Sequence, residues 1–236
     1  MSEKLKIKIK PLAFIDLLAF KNLVPKRKKM FDNASSAKPE EKPVVNVLAK
    51  RLHPIRQYMT IEEVKDVAPD VKSFKLKADA SKGTNELAMF RAGQYLSVKL
   101  NIEEEHLTRP YSIASSPKDS LDGYYTLTIK RAAFATDYLW ENWKAGAKIE
   151  TSGPEGQFYY SALRDMQHIA AIAGGSGITP FLSMISDFND KSWPVDFTLF
   201  YGCNTIADIV QRKKLDLIAQ SSGGKFKPVF VIAKEK

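Results

Sequence analysis

The sequence predicts a β-barrel followed by an α/β unit, on three observations. Short runs alternating apolar with polar residues fill the stretch from about Gln57 to Lys130, as half-buried antiparallel strands do. From about Met166 the runs become continuously apolar and alternate with helical stretches, as in a wound parallel sheet. The length of 236 residues suits one large domain or two small ones, each with a core. The boundaries that follow are a basic extension and linker over 1–50, the barrel over 51–162 and the α/β unit over 163–236.

At the N-terminus, nine Lys and Arg in residues 1–30 face only Glu3 and Asp16, so this segment holds +7 of the formal +9. The rest of the chain is close to neutral, which argues against a nucleic-acid binder. Phe14, Leu17, Leu18 and Lys21 lie at helical spacing ahead of "PKRKK". Such a basic amphipathic helix suits an anionic membrane surface or a docking partner. A helix packed on its own body, followed by a solvated lysine run, fits the same residues. Asp16 and the short apolar stretch argue against a secretory signal. "FDNASSAKPEEKP" (31–43) is polar and proline-punctuated, hence a linker.

The barrel strands are "QYMTIEEVKDV", "VKSFKLKA", "FRAGQYLSVKL", "RPYSIASS" and "YYTLTIKRA", separated by "KGTNE", "NIEEEH" and "PKDSLDG". Strands at this spacing build a small barrel or a sandwich. "TDYLWENWKAG" reads as one helix, with Thr136 as N-cap and Gly146 as its stop, before "AKIETSGPEGQF" returns to extended chain. "HIAAIAG" then reads as a strand buried on both faces. After "GGSGITP" come helix "FLSMISDFND", strand "VDFTLFYG", helix "IADIVQRKKLDLIAQ" and strand "FKPVFVIA".

Several chemistries are excluded. No stretch approaches the roughly 20 apolar residues a spanning helix needs. The single cysteine, Cys203, leaves no intramolecular disulfide or cysteine-ligated cluster within this chain. It points to a reducing, cytoplasmic setting, with association at the inner membrane face left to the basic N-terminus. His53, His106 and His168 are scattered and read as structural.

Two stretches suit phosphate. In "GGSGITP", Gly174, Gly175 and Gly177 would let backbone N–H groups approach an anion at a helix N-terminus, and Thr179 could add a hydroxyl. Pro180 fits the first helical turn. A tight turn with no ligand explains these glycines equally well. In "RPYS", Arg109 offers a permanent charged fork, Tyr111 a flat ring and Ser112 a donor and acceptor. The structural alternative makes them a rim charge, a core aromatic and edge-strand polarity.

"RPYS", preceded by "FRAGQY" and followed by "GPEGQF" and "GGSGITP", occurs in the order and spacing of the ferredoxin–NAD(P) reductase-like flavoprotein family, which residues 55–210 resemble. The resemblance implies a six-stranded antiparallel FAD-binding barrel and a partial parallel-sheet, Rossmann-like NAD-binding domain. Arg109 would bind the flavin phosphate, Tyr111 would stack on the isoalloxazine and Ser112 would sit near N5. Ile129, Lys130 and Thr136 would lie along the flavin tail, although Ala132 and Ala133 replace the glycines frequent in relatives. Gly174, Gly175, Gly177 and Thr179 would cradle the dinucleotide, and Gly202 and Cys203 would close over its reactive end. Asn204 stands where relatives often carry a basic residue, which favours NADH over NADPH.

The activity so implied is hydride transfer from NAD(P)H to FAD, then electron transfer to an iron–sulfur protein or similar one-electron acceptor. The family's second domain normally continues beyond "VFVIAKEK", so the resemblance implies a C-terminally shortened form or a fragment. The alternatives are a non-catalytic flavin-binding module and an electron-transfer subunit that needs a partner chain.

Overall fold

The structure, a computed structural model, describes residues 23, 25–34 and 44–234. The helix expected around Phe14–Lys21 and most of the 31–43 linker lie outside the described residues. Two compact units divide between Pro43 and Val44. In the first, residues 25–32 are helical with exposed side chains.

The second unit opens with helix α1 (Val44–Leu52), which the extension-and-linker reading did not anticipate. Lys50 and Arg51 occupy its last turn, where the helix dipole favours cations, and Arg51 pairs with Glu86. Six antiparallel strands follow: β1 (Gln57–Ala68), β2 (Val71–Ala78), β3 (Tyr95–Ile102), β4 (Glu105–Ser112), β5 (Tyr124–Lys130) and β6 (Lys148–Thr151). Their order across the sheet is β4-β3-β6-β1-β2-β5. The two outer strands, β4 and β5, meet at a single bridge, Ile113–Leu127. The sheet therefore curls into a barrel that does not close.

Alternation fills its core. Phe74, Leu76, Leu96, Val98, Tyr125 and Leu127 are fully buried, each apolar side chain contributing about 1.5–3 kcal/mol by leaving water. In β1 the register slips between Ile61 and Glu63. One inserted residue flips the pleat, so Met59, Ile61 and then Val64 all reach the same core.

Two family-like motifs prove to be braces between loops. Tyr95 and Glu155 exchange backbone hydrogen bonds at 3.0 and 2.9 Å, and Gln94 Nε2 donates to the Gly156 carbonyl at 3.1 Å. Gly93, with φ +105°, lies so close to Phe158 that a Cβ would overlap its carbonyl oxygen. "FRAGQY" and "GPEGQF" thus fit each other.

The helix expected at Thr136–Gly146 is α2 (Phe134–Asn142), two residues earlier, with Ala133 as its N-cap. Thr136 is the third helical residue, and its Oγ1 reaches back to accept from Ala132 N and Ala133 N at 2.8 and 2.9 Å. At the other end Trp143 leaves the helix to pack edge-on against Phe74 at 5.2 Å. Gly146 serves the following turn, donating to Ile61 O at 2.8 Å.

Three parallel strands complete the unit: β7 (His168–Gly174), β8 (Asp196–Cys203) and β9 (Phe226–Ile232), in that order. The crossovers carry α3 (Thr179–Asp190) and α4 (Arg212–Ser221). Leu182, Ile185 and Phe188 of α3, with Leu215 and Ile218 of α4, pack with Ala171, Ala173, Phe197, Leu199 and Tyr201 of the sheet. The expected burial of "HIAAIAG" on both faces does not hold. Ile172 is 81% exposed, beside Phe200 at 41%, because both helices cover the other face.

The helix expected from Ile206 begins only at Arg212. Asp208 accepts from Thr205 N and Oγ1, both at 2.9 Å, which closes a short 3₁₀ turn instead. Ile209 and Val210 then enter the core.

Candidate cofactor site

The carboxyl ends of the parallel strands meet the flank of β5. Strand β7 ends in Gly174 and runs into a 3₁₀ turn, Gly175–Ile178, from which α3 starts with Pro180 in its first turn. This is where open α/β sheets leave a crevice for ligands. Tyr201 Oη donates to the Gly175 carbonyl at 2.9 Å, and Thr179 Oγ1 donates to Ser176 O at 2.6 Å. The Thr179 hydroxyl proton is thus engaged in shaping the turn, leaving its oxygen as an acceptor.

The glycines differ in what they need. Gly175 has φ +49°, a left-handed conformation that glycine adopts most cheaply. Gly174 has strand angles, φ −129° and ψ 130°, and a Cβ on Gly174 or Gly177 would meet nothing within 4 Å. On Gly202 it would meet only the Ala173 carbonyl, at an ordinary 3.7 Å. Neither backbone nor packing demands glycine at these three positions. They leave room beside the chain, as the close approach of a phosphate or ring requires.

Beside Gly202 lies a cavity of about 280 Å³ lined by Lys130 from the barrel and by Gly175, Ser176, Gly202, Cys203 and Asn204. Clefts of about 490 and 560 Å³ elsewhere touch neither the glycine turn nor Lys130. Past β9, Ala233 N and Lys234 N donate to the carbonyls of Cys203 and Asn204, both at 3.0 Å, and fix the rim.

Burial pushes the Cys203 thiol above its usual range, with Lys130 pulling the other way. Cys203 is 7% exposed, with its sulfur 3.8 Å from the Asp208 carbonyl. Asp208, which also lines the cavity, is held below its usual value by its bonds to Thr205, with help from Lys130 and Lys234.

The second group of expected residues lies on the barrel's open seam. Register sets Arg109 opposite Val98 and Tyr111 opposite Leu96, so both share the face of buried side chains. Tyr111 is half-buried against the barrel cluster, and burial raises its phenol above the ordinary value against the pull of Arg109. Arg109 is exposed; Nη1 donates to Thr108 O at 3.0 Å. Ser112 is half-buried at the strand's end, just before the Ile113–Leu127 bridge. Ile129 is 3% exposed in the barrel core.

The structure thus gathers Lys130, Gly175, Gly202, Cys203 and Asn204 at one cavity, with Gly174, Gly177 and Thr179 in or beside its turn. Arg109, Tyr111 and Ser112 form a separate strip on β4, and Thr136 stands at the start of α2. Sequence reasoning missed the brace Tyr201 and the lining residues Ser176 and Asp208. The apolar run "VDFTLFYG" marked Tyr201 as a strand residue, but nothing marked its hydroxyl. Among the described residues no group of His, Cys, Asp and Glu could hold a metal ion.

The fold and these residues fit a flavin and a nicotinamide dinucleotide. The profile of the oxidoreductase FAD-binding domain matches residues 58–160, and that of the oxidoreductase NAD-binding domain residues 171–236. The phenol hydroxylase P5 protein of Acinetobacter pittii is 33% identical over 172 residues, 71% of this chain and 45% of that one. The glycine betaine monooxygenase reductase subunit of Chromohalobacter salexigens is 30% identical, over 70% of this chain and 43% of its own. The chain therefore spans less than half the length of these curated relatives.

Among solved structures, the Amycolatopsis cytochrome P450 reductase GcoB matches with TM-score 0.67 and 26% identity, covering 78% of this chain and 54% of that one. The FAD/NAD-binding domain of Vibrio cholerae nitric oxide dioxygenase shares the fold, with TM-score 0.67 at 19% identity over 76% and 75% of the two chains. The two profiles match in the order in which barrel and parallel sheet occur, and the chain belongs to the ferredoxin–NAD(P) reductase-like flavoprotein family, with FAD and NAD(P)H as its cofactors.

Proposed function

We propose that the chain takes hydride from NADH onto bound FAD and passes the electrons singly to an iron–sulfur or similar one-electron acceptor. The flavin, when bound, supplies the conversion of a two-electron donor into one-electron steps. The protein's part is to hold two rings in line and keep water out. Arg109 binds the flavin phosphate, Tyr111 packs on the ring and Ser112 hydrogen-bonds its edge. Thr136 and Ile129 border the flavin tail. Gly174, Gly175, Gly177 and Thr179 shape the dinucleotide cradle, Gly202 and Cys203 stand at its reactive end, and Lys130 adds positive potential. The flavin part extends over 51–162 and the nicotinamide part over 163–236.

The observation that carries this reading is the cavity shared by Lys130 of the barrel and by Gly175, Gly202 and Cys203 of the parallel sheet. Asn204, a neutral amide on that cavity, favours NADH over the more highly charged NADPH. The relatives named as reductase components of monooxygenases support an acceptor that belongs to an oxygenase system. Purified protein is expected to take up FAD, turn yellow and bleach when NADH is added without oxygen. Colourless protein that takes up no added FAD would contradict the reading.

The open apolar face at Ile172 and Phe200 favours a second reading, a flavin-binding module whose nicotinamide half is completed by a partner. It predicts a normal flavin spectrum that NADH alone does not bleach.

A further inference from the structure

Strand β5 brings a second polar side chain to the same seam as Lys130. Tyr125, Leu127 and Ile129 point into the barrel cluster, so alternation sends Thr126, Thr128 and Lys130 to the opposite face. That face looks toward the parallel sheet. Strand β5 lies against the Gly175–Ile178 turn, and Lys130 lines the cavity with Gly175 and Ser176. Thr128 lies roughly 7 Å along the strand from Lys130.

Thr128 is 6% exposed, and its Oγ1 is buried with no hydrogen-bond partner. An unpaired buried hydroxyl destabilises the protein that carries it, and valine fills the same volume without that cost. Packing alone therefore gives no reason for threonine here. The register of the Ile113–Leu127 bridge, carried one residue further, sets Ser112 opposite Thr128. Directly opposite residues of an antiparallel pair send their side chains to one face, so the two hydroxyls stand side by side there.

We propose that the Thr128 hydroxyl is a flavin-binding group, donating to a polar atom on the rim of an isoalloxazine ring that packs against β4, β5 and the Gly175–Ile178 turn. The inference rests on the flavin reading above and adds a contact to it. In this arrangement the hydroxyl is unsatisfied only while the ring is absent.

The test compares wild-type protein with Thr128→Val and Thr128→Ser. Flavin-free protein is titrated with FAD by fluorescence quenching, its thermal midpoint is measured, and the visible spectrum of the loaded protein is taken. Thr128→Val is expected to raise the thermal midpoint of the flavin-free protein while weakening FAD binding about 5–15-fold and shifting the flavin band. Thr128→Ser, which keeps the hydroxyl, is expected to bind FAD within about twofold of wild type. A valine variant with unchanged FAD affinity and spectrum would overturn the proposal. So would a defect confined to the KM for NADH, which assigns the hydroxyl to the nicotinamide. Wild-type protein that binds no FAD would overturn the flavin reading itself, a result distinct from either.

Discussion

Gly174 has the backbone angles of an ordinary strand residue and open space where its Cβ would stand. Alanine there is compatible with the fold and restricts the unfolded chain, so Gly174→Ala is expected to stabilise the protein by about 0.4–1 kcal/mol. On the proposed function the added methyl enters space used by the dinucleotide, so the KM for NADH is expected to rise. Denaturant unfolding and steady-state kinetics on one preparation measure both; a KM that stays unchanged would leave the glycine without a ligand. Asn204 makes a second test at this scale. Asn204→Arg places a charged fork on the cavity rim and is expected to shift the NADPH-to-NADH preference by about tenfold, read as the ratio of kcat/KM values. Arg109 is exposed and pairs with no carboxylate among the described residues. Losing its charged hydrogen bonds in Arg109→Gln is expected to weaken FAD binding about 10–100-fold with little change in the thermal midpoint of flavin-free protein.

Among the elements, the glycine turn depends on one hydroxyl from the next strand. Tyr201 is fully buried and holds the Gly175 carbonyl. Tyr201→Phe keeps the packing and leaves that carbonyl unpaired, at an expected cost of about 1 kcal/mol. On the proposed function the turn serves the dinucleotide, so the KM for NADH is expected to rise while FAD affinity holds. Loss of both together would mean that the turn also shapes the flavin site. The alternation of β3 and β5 was legible because each has one wetter and one dry face. Helix starts were less so. At Thr136 the hydroxyl serves residues before it, where an N-cap serves residues after it. At Ile206 a helical spacing of apolar residues was real, but Ile209 and Val210 reach the core from extended chain. Spacing alone does not separate these cases, since both put apolar side chains on one side.

Across the whole molecule, the barrel and the parallel sheet meet along one seam, where β5 lies against the glycine turn. Candidate residues could be named from their motifs in order; their division into a β4 strip and a β5-to-sheet cavity could not, because it depends on a barrel whose outer strands join through an isolated bridge at Ile113–Leu127. The sheet's other face illustrates the opposite limit. A continuous apolar run looks the same whether helices cover both faces or one, and here Ile172 is 81% exposed. Ile172→Thr is accordingly expected to change stability by no more than about 0.5 kcal/mol, whereas Leu199→Ala, on the covered face, costs about 2–5 kcal/mol. Equal losses for the two would show that Ile172 is buried in solution.

On the proposed function this seam brings a nicotinamide and a flavin together. The most direct measurement is anaerobic titration of the FAD-loaded protein with NADH, followed in the flavin's visible band. Stoichiometric bleaching is expected in the wild type, with weaker apparent NADH affinity in Gly174→Ala. A fully loaded flavin that stays oxidised at saturating NADH and NADPH would contradict it.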